Sequence, residues 1–99
     1  MTYKLEFKES ALKEWRKLGE TVRLQLKAKL AERLQAPRVH SAALRGTKDV
    51  YKIKLRAAGY RLVYQVNDET VTVCVVAIGK RNKNAIYDLA LARLGPGKN

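Results

Sequence analysis

The amino-acid sequence predicts an α+β fold: an N-terminal strand, an antiparallel helix pair, a three- to four-stranded antiparallel meander and a C-terminal helix. Three observations predict it. Residues 51–56 and 60–64 alternate apolar with polar and are parted by a short turn ending in Gly59, the pattern of a β-hairpin. Apolar residues between Ala11 and Leu34 recur at helical spacing. Residues 70–78 form a nearly unbroken apolar run, as a strand buried on both faces requires, and a second helical pattern follows at 85–94.

In order, Tyr3, Leu5 and Phe7 alternate with Lys4, Glu6 and Lys8, a short half-buried strand. Ala11, Leu12, Trp15 and Leu18 give a helix over 9–18, with Gly19 placed as its C-cap. Thr21 then serves as N-cap of a longer helix reaching Gln35, its stripe Val22, Leu26, Leu30 and Leu34, and Pro37 stops it. Residues 36–49 are read as a loop with a short strand near Ala43–Arg45 and a turn at 46–49. Within the hairpin, Tyr51, Ile53 and Leu55 share one face, and Lys52, Lys54 and Arg56 share the other. Setting Leu55 opposite Tyr60 places Lys54 opposite Arg61. A one-residue slip would drive Arg61 into the core, so burial of one face fixes this register. Asn67–Glu69 is the next turn. Cys74 is expected in the core of the strand that follows, and Gly95-Pro96-Gly97 closes the last helix. Residues 1–94 are expected to form a single domain, with 95–99 a flexible tail.

Charge narrows the function. Twenty-one Lys and Arg against nine Asp and Glu leave a net +12, which favours nucleic acid, an anionic membrane surface or an acidic protein as partner. No apolar run approaches the roughly 18 residues of a membrane span, and no signal peptide is read at the N-terminus. One cysteine rules out an internal disulfide framework and suits a reducing, cytoplasmic setting. A lone His40 and a lone Cys74 supply no metal cluster, and neither a paired-carboxylate site nor a phosphate-binding glycine loop is present. No cofactor or metal is expected. His40 reads as a solvated loop residue.

What remains is basic and aromatic. Lys52, Lys54 and Arg61 crowd one sheet face, where like charges repel unless a polyanion occupies it. Arg81 follows the central strand, and Tyr87 lies near the start of the last helix. If that helix folds over the sheet, both converge on the hairpin cations, with Arg45 extending the patch. Cations neutralise a phosphodiester and the ring stacks on a base. On pattern alone, plain RNA or DNA binding is favoured over catalysis. Lys13, Arg16, Lys17, Arg23, Lys27 and Lys29 spread further charge over the helices, for docking to a large polyanion or for solubility alone.

The segments Ala11-Leu12-Lys13-Glu14-Trp15-Arg16-Lys17-Leu18, Leu44-Arg45-Gly46, Tyr51-Lys52-Ile53-Lys54-Leu55-Arg56, Gly59-Tyr60-Arg61-Leu62-Val63-Tyr64-Gln65-Val66 and Gly79-Lys80-Arg81 closely resemble the RelE toxins of bacterial toxin–antitoxin systems, over residues 2–94. The resemblance implies a microbial-ribonuclease-like fold and a ribosome-dependent endoribonuclease that cleaves mRNA in the A site. It also implies a cognate RelB-like antitoxin, with the ribosome and mRNA as further partners and no membrane. The family's catalytic positions fall on Lys52, Lys54, Arg61, Arg81 and Tyr87, and a further RNA-contacting position on Arg45. The mechanism these residues can support is metal-free attack of a ribose 2′-hydroxyl on the adjacent phosphate, with Lys54 as base. Two alternatives stand beside it: a ParE-like gyrase-directed toxin and a non-catalytic RNA-binding module.

Overall fold

The computed structural model describes residues 2–82 and 85–95. In chain order the elements are β1 (Lys4–Phe7), α1 (Glu9–Arg16), α2 (Glu20–Gln35), a single 3₁₀ turn (His40–Ala42), β2 (Val50–Leu55), β3 (Tyr60–Asn67), β4 (Thr72–Lys80) and α3 (Ala85–Leu94). The strands form one sheet in the order β1–β4–β3–β2. The meander β2–β3–β4 is antiparallel, while β1 joins β4 in parallel, with Lys4 opposite Thr72 and Phe7 opposite Val75. Of the expected tail, residues 96–99 lie outside the described residues.

Two apolar layers enclose the sheet. On one face Ala11, Leu18, Leu26 and Leu30 of the α1–α2 layer pack against Ile53, Leu62, Tyr64, Val73 and Val75. On the other, Ile86 and Ala90 of α3 meet Val63, Val76 and Ala77. Each fully buried Leu, Ile or Val here stabilises the fold by about 1.5–3 kcal/mol. A bulge in β4 explains the unbroken apolar run. Val63 pairs with Ala77 and Tyr64 with Val75, so Val76 is the extra residue, and Val76 and Ala77 both face α3. Gly79, beside the bulge, lies beneath Ile86, where a Cβ would collide with the Ile86 side chain. The glycine therefore lets α3 sit down on β4.

Several boundaries differ from the sequence expectation. Gly19 is the N-cap of α2, with φ −64°, and the C-cap of α1 is Lys17. Thr21 consequently lies within the first turn of α2 rather than capping it. The expected strand at Ala43–Arg45 is reduced to one bridge, Ala43 to Tyr51, because the 3₁₀ turn ends only at Ala42. β4 starts at Thr72, since Asn67 Oδ1 accepts the Glu69 and Thr70 amides and holds those residues in the turn. Leu5 is exposed on β1 and Cys74 is only partly buried.

One polar clamp joins the layers. Past Val75, where β1 has ended, the edge of β4 is open. There Ile78 N donates to Glu14 Oε1 (3.0 Å), and Arg93 Nη1 donates to Val76 O (2.9 Å). Arg93 also grips Glu14 through both carboxylate oxygens, at 3.0 and 2.8 Å. Thus α1 and the end of α3, on opposite faces, are tied around one strand edge. Removing Arg93 leaves the Glu14 carboxylate and the Val76 carbonyl without their donor in a part-buried place. Arg93→Met should lower unfolding stability by about 1–3 kcal/mol in urea titrations; a loss below about 0.5 kcal/mol would show that water replaces the clamp.

Candidate nucleic-acid interface

The site is built on the β2–β3 hairpin because its alternation leaves one face basic. Lys54 pairs with Arg61 and Leu55 with Tyr60, the register the alternation predicts. The connecting turn closes with Gly59 N donating to Leu55 O at 2.8 Å, and Gly59 has φ +73°, a conformation glycine adopts without a Cβ penalty. Arg81 N donates to Gly59 O at 2.6 Å, which fastens the exit of β4 to this turn.

α3 lies across the basic face and brings Tyr87 down on it. Lys52 Nζ is 5.6 Å from the Tyr87 ring centroid and Arg61 Cζ is 5.2 Å from it. The negative face of an aromatic ring attracts a cation, so Tyr87 offsets part of the repulsion between two cations that share its neighbourhood. The Tyr87 hydroxyl is buried and has no hydrogen-bond partner among the described residues. Lys54 feels this environment. Its ammonium pKa is lowered, first by loss of surrounding water and then by the charges of Arg61, Lys52 and Arg56 in that order.

These side chains are divided between two hollows. Lys54, Arg61 and Arg81 line one, next to the hairpin turn. The other, of about 370 Å³, is lined by Arg45, Lys52 and Tyr87 with Leu44, Asp88 and Leu91. The six sequence-predicted residues are therefore gathered on one surface, with Arg81 joining through Lys54 and Arg61 and Arg45 through Lys52 and Tyr87. The cations at 13, 16, 17, 23 and 27 are not part of it. They belong to the α1–α2 layer on the opposite side of the sheet, and Arg23 Nη1 is occupied by Leu18 O at 2.9 Å.

Sequence reasoning missed two residues at the rim, Asp88 and Arg33, and placed a third, Arg56, on the basic face without counting it in the site. Arg56 lines the hollow beside Lys54, just past the end of β2. Asp88 adds a carboxylate to the Tyr87 hollow, where it also suits the positive first turn of α3. Arg33 reaches the edge of β2, donating from Nη1 to Lys52 O at 3.1 Å and to Tyr64 Oη at 2.9 Å. A signal for Arg33 was available: it stands seven residues after Leu26 and three after Leu30, on the buried stripe of α2, where a charge calls for a partner. No group of three or more His, Cys, Asp or Glu that could hold a metal ion occurs among the described residues. Nor is any described helix long and apolar enough to cross a membrane.

A mixed sheet with a cation-rich face under the last helix defines a class. The family model described as the ParE toxin of type II toxin–antitoxin system, parDE, matches residues 5–85. The mRNA interferase toxin RelE of Escherichia coli (strain K12) is 58% identical over 94 residues, 95% of this chain and 99% of that protein. A substituted form of the E. coli toxin RelE in the free state superposes with TM-score 0.87 at 57% identity, over 95% of this chain and 99% of that one. RelE in the intact E. coli RelBE toxin–antitoxin complex matches with TM-score 0.78 at 62% identity, over 82% of this chain and 99% of that one. The chain belongs to the RelE family of toxins, within the RelE/ParE superfamily.

Because the Tyr87 ring, not its hydroxyl, touches Lys52 and Arg61, the two parts of the side chain should separate in binding. Tyr87→Phe should keep RNA affinity within about twofold, whereas Tyr87→Ala should lose about 1–3 kcal/mol, the worth of one aromatic stacking partner. Fluorescence anisotropy with a short single-stranded RNA measures both. Equal losses for the two variants would place the binding contribution on the hydroxyl.

Proposed function

We infer that this chain is an mRNA interferase, the toxin of a toxin–antitoxin pair, and that it cuts mRNA held in the ribosomal A site. The observation that carries the reading is the gathering of Lys52, Lys54, Arg61, Arg81 and Tyr87 around one face of the hairpin, with Lys54 the side chain whose ammonium form is weakened. The relatives named mRNA interferase support it.

Cleavage proceeds by transesterification. The 2′-hydroxyl loses its proton to Lys54, and its oxygen attacks the adjacent phosphorus. The bond from phosphorus to the 5′ oxygen of the next nucleotide breaks, giving a 2′,3′-cyclic phosphate and a 5′-hydroxyl end. Lys52 and Arg61 neutralise the charge that builds on the phosphate oxygens, where fixed donors contribute most. Arg81 stands by the leaving 5′ oxygen as hydrogen-bond donor or formal acid, so that this oxygen departs as a hydroxyl, and Tyr87 stacks on or orients the nucleotide. Arginine is a poor acid because its guanidinium holds its proton far above neutrality, and a lysine amine is mostly protonated near neutrality. Positioning must therefore supply much of the rate, which assigns the ribosome the task of holding the mRNA in an attack geometry.

A cognate RelB-like antitoxin completes the system. An acidic, partly disordered segment suits a +12 surface and buries apolar area as it orders. The toxin acts in the cytoplasm, where the ribosomes are.

Primer extension on mRNA programmed into ribosomes tests the reading. The wild-type protein should give A-site cuts, and Lys54→Ala and Arg81→Ala should each lower the single-turnover rate by at least about 100-fold, in the range for loss of a general acid or base. Intact mRNA with DNA breaks on expression would instead mark a gyrase-directed toxin, and efficient cleavage of naked RNA would remove the need for the ribosome. The pH dependence has a definite sign. Neutral Lys54 is the active form, so the rate climbs as pH rises, and its lowered pKa makes the climb begin earlier than an ordinary lysine would allow. An unchanged ascending limb in Lys54→Ala would rule out Lys54 as the base.

A further inference from the structure

Around the outer edge of β2 lies a third hollow, of about 220 Å³, lined by Arg33, Ser41, Ala42, Lys52, Lys54 and Arg56. Four of these six side chains are cationic and none is acidic. Arg33 comes from α2, on the far side of the sheet from α3, so the basic surface continues past the strand edge rather than stopping at the hairpin face. Both protein hydrogen bonds of Arg33 leave from Nη1, to Lys52 O and Tyr64 Oη. Among the described residues its Nη2 and Nε donors have no hydrogen-bond acceptor, and a guanidinium presents such donors as a planar fork suited to phosphate. Tyr64 is fully buried and donates in turn to Pro37 O at 2.6 Å. Arg33 is therefore held in place at little further entropic cost. Cations packed this closely repel one another unless an anion lies among them.

We propose that the Arg33–Lys54–Arg56 hollow is a second phosphate subsite, which holds an RNA phosphate neighbouring the scissile one. The inference rests on the mRNA-interferase reading. Lys54 and Arg56 line both this hollow and the one containing Arg61 and Arg81, so a strand can run from one to the other across the β2 edge. Lys52 and Lys54 lie two residues apart on an extended strand, about 6.8 Å, a reach comparable to one nucleotide step. Arg33 thus acts in binding, not in proton transfer.

The experiment uses the full chain with programmed ribosomes and compares wild type, Arg33→Leu, Arg33→Lys and Tyr64→Phe. Arg33→Leu should raise KM roughly tenfold with kcat changed less than about twofold, and should flatten the dependence of log affinity on log salt by about 0.7, one single-strand phosphate contact. Arg33→Lys should keep most of the salt slope. Tyr64→Phe, which removes a support of Arg33 but not its charge, should leave the slope unchanged; if it reproduces the full Arg33→Leu effect, the role is structural and the proposal falls. An unchanged KM and slope in Arg33→Leu would also overturn it. A neutral methylphosphonate at one linkage beside the cut separates the sources of phosphate. If the phosphate is the mRNA's, the modification weakens wild type but adds nothing to Arg33→Leu; if it is ribosomal RNA's, it affects both proteins equally. Failure of the wild-type protein to cut would refute the parent reading instead, independently of Arg33.

Discussion

Mutual repulsion among cations on one sheet face governs the rest of this molecule. Lys52 and Lys54 on β2 and Arg61 on β3 are brought together by hairpin pairing that the apolar face enforces. Left alone, this crowding would oppose the pairing. The ring of Tyr87 offsets part of it by lying within 6 Å of two of the charges. At Lys54 the ammonium is weakened, first by loss of surrounding water and then by the charges of Arg61, Lys52 and Arg56.

The position of α3 is therefore a functional quantity as well as a packing detail. Three features set it: the bulge at Val76, which turns two successive small apolar residues toward the helix; Gly79, which leaves room for Ile86; and the Glu14–Arg93 clamp, which pins the far end. Each is remote from the chemistry, yet each fixes where the Tyr87 ring comes to rest. A partner that displaced α3 would dismantle the site without touching a cation, which gives an antitoxin a route to inhibition alongside simple occlusion.

Much of this was legible in the sequence. The hairpin register followed from alternation, because only one pairing keeps Arg61 out of the core. The span of α3, 85–94, followed from helical spacing and the glycine after it. The parts that were not legible depend on partners distant in the chain. Nothing local says that β1 pairs with β4 in parallel, since an alternating strand carries no mark of its neighbour's direction. Gly19 was assigned to the wrong helix because a short linker puts the end of α1 and the start of α2 almost on the same residue. Arg33 is one of several cations on α2, and only its place on the stripe of Leu26 and Leu30 sets it apart. The resemblance to the RelE toxins supplied the reaction; the residues alone reached as far as a phosphodiester-binding face.

The central claim is that desolvation and neighbouring cations together fit Lys54 for the role of base, and a direct titration tests it. With side-chain amines followed by heteronuclear NMR in the intact protein, Lys54 should titrate below the other lysines, and Arg61→Gln should move it back toward the ordinary value of about 10.4. A Lys54 that titrates with the bulk of the lysines, and does not respond to loss of the Arg61 charge, would contradict the account.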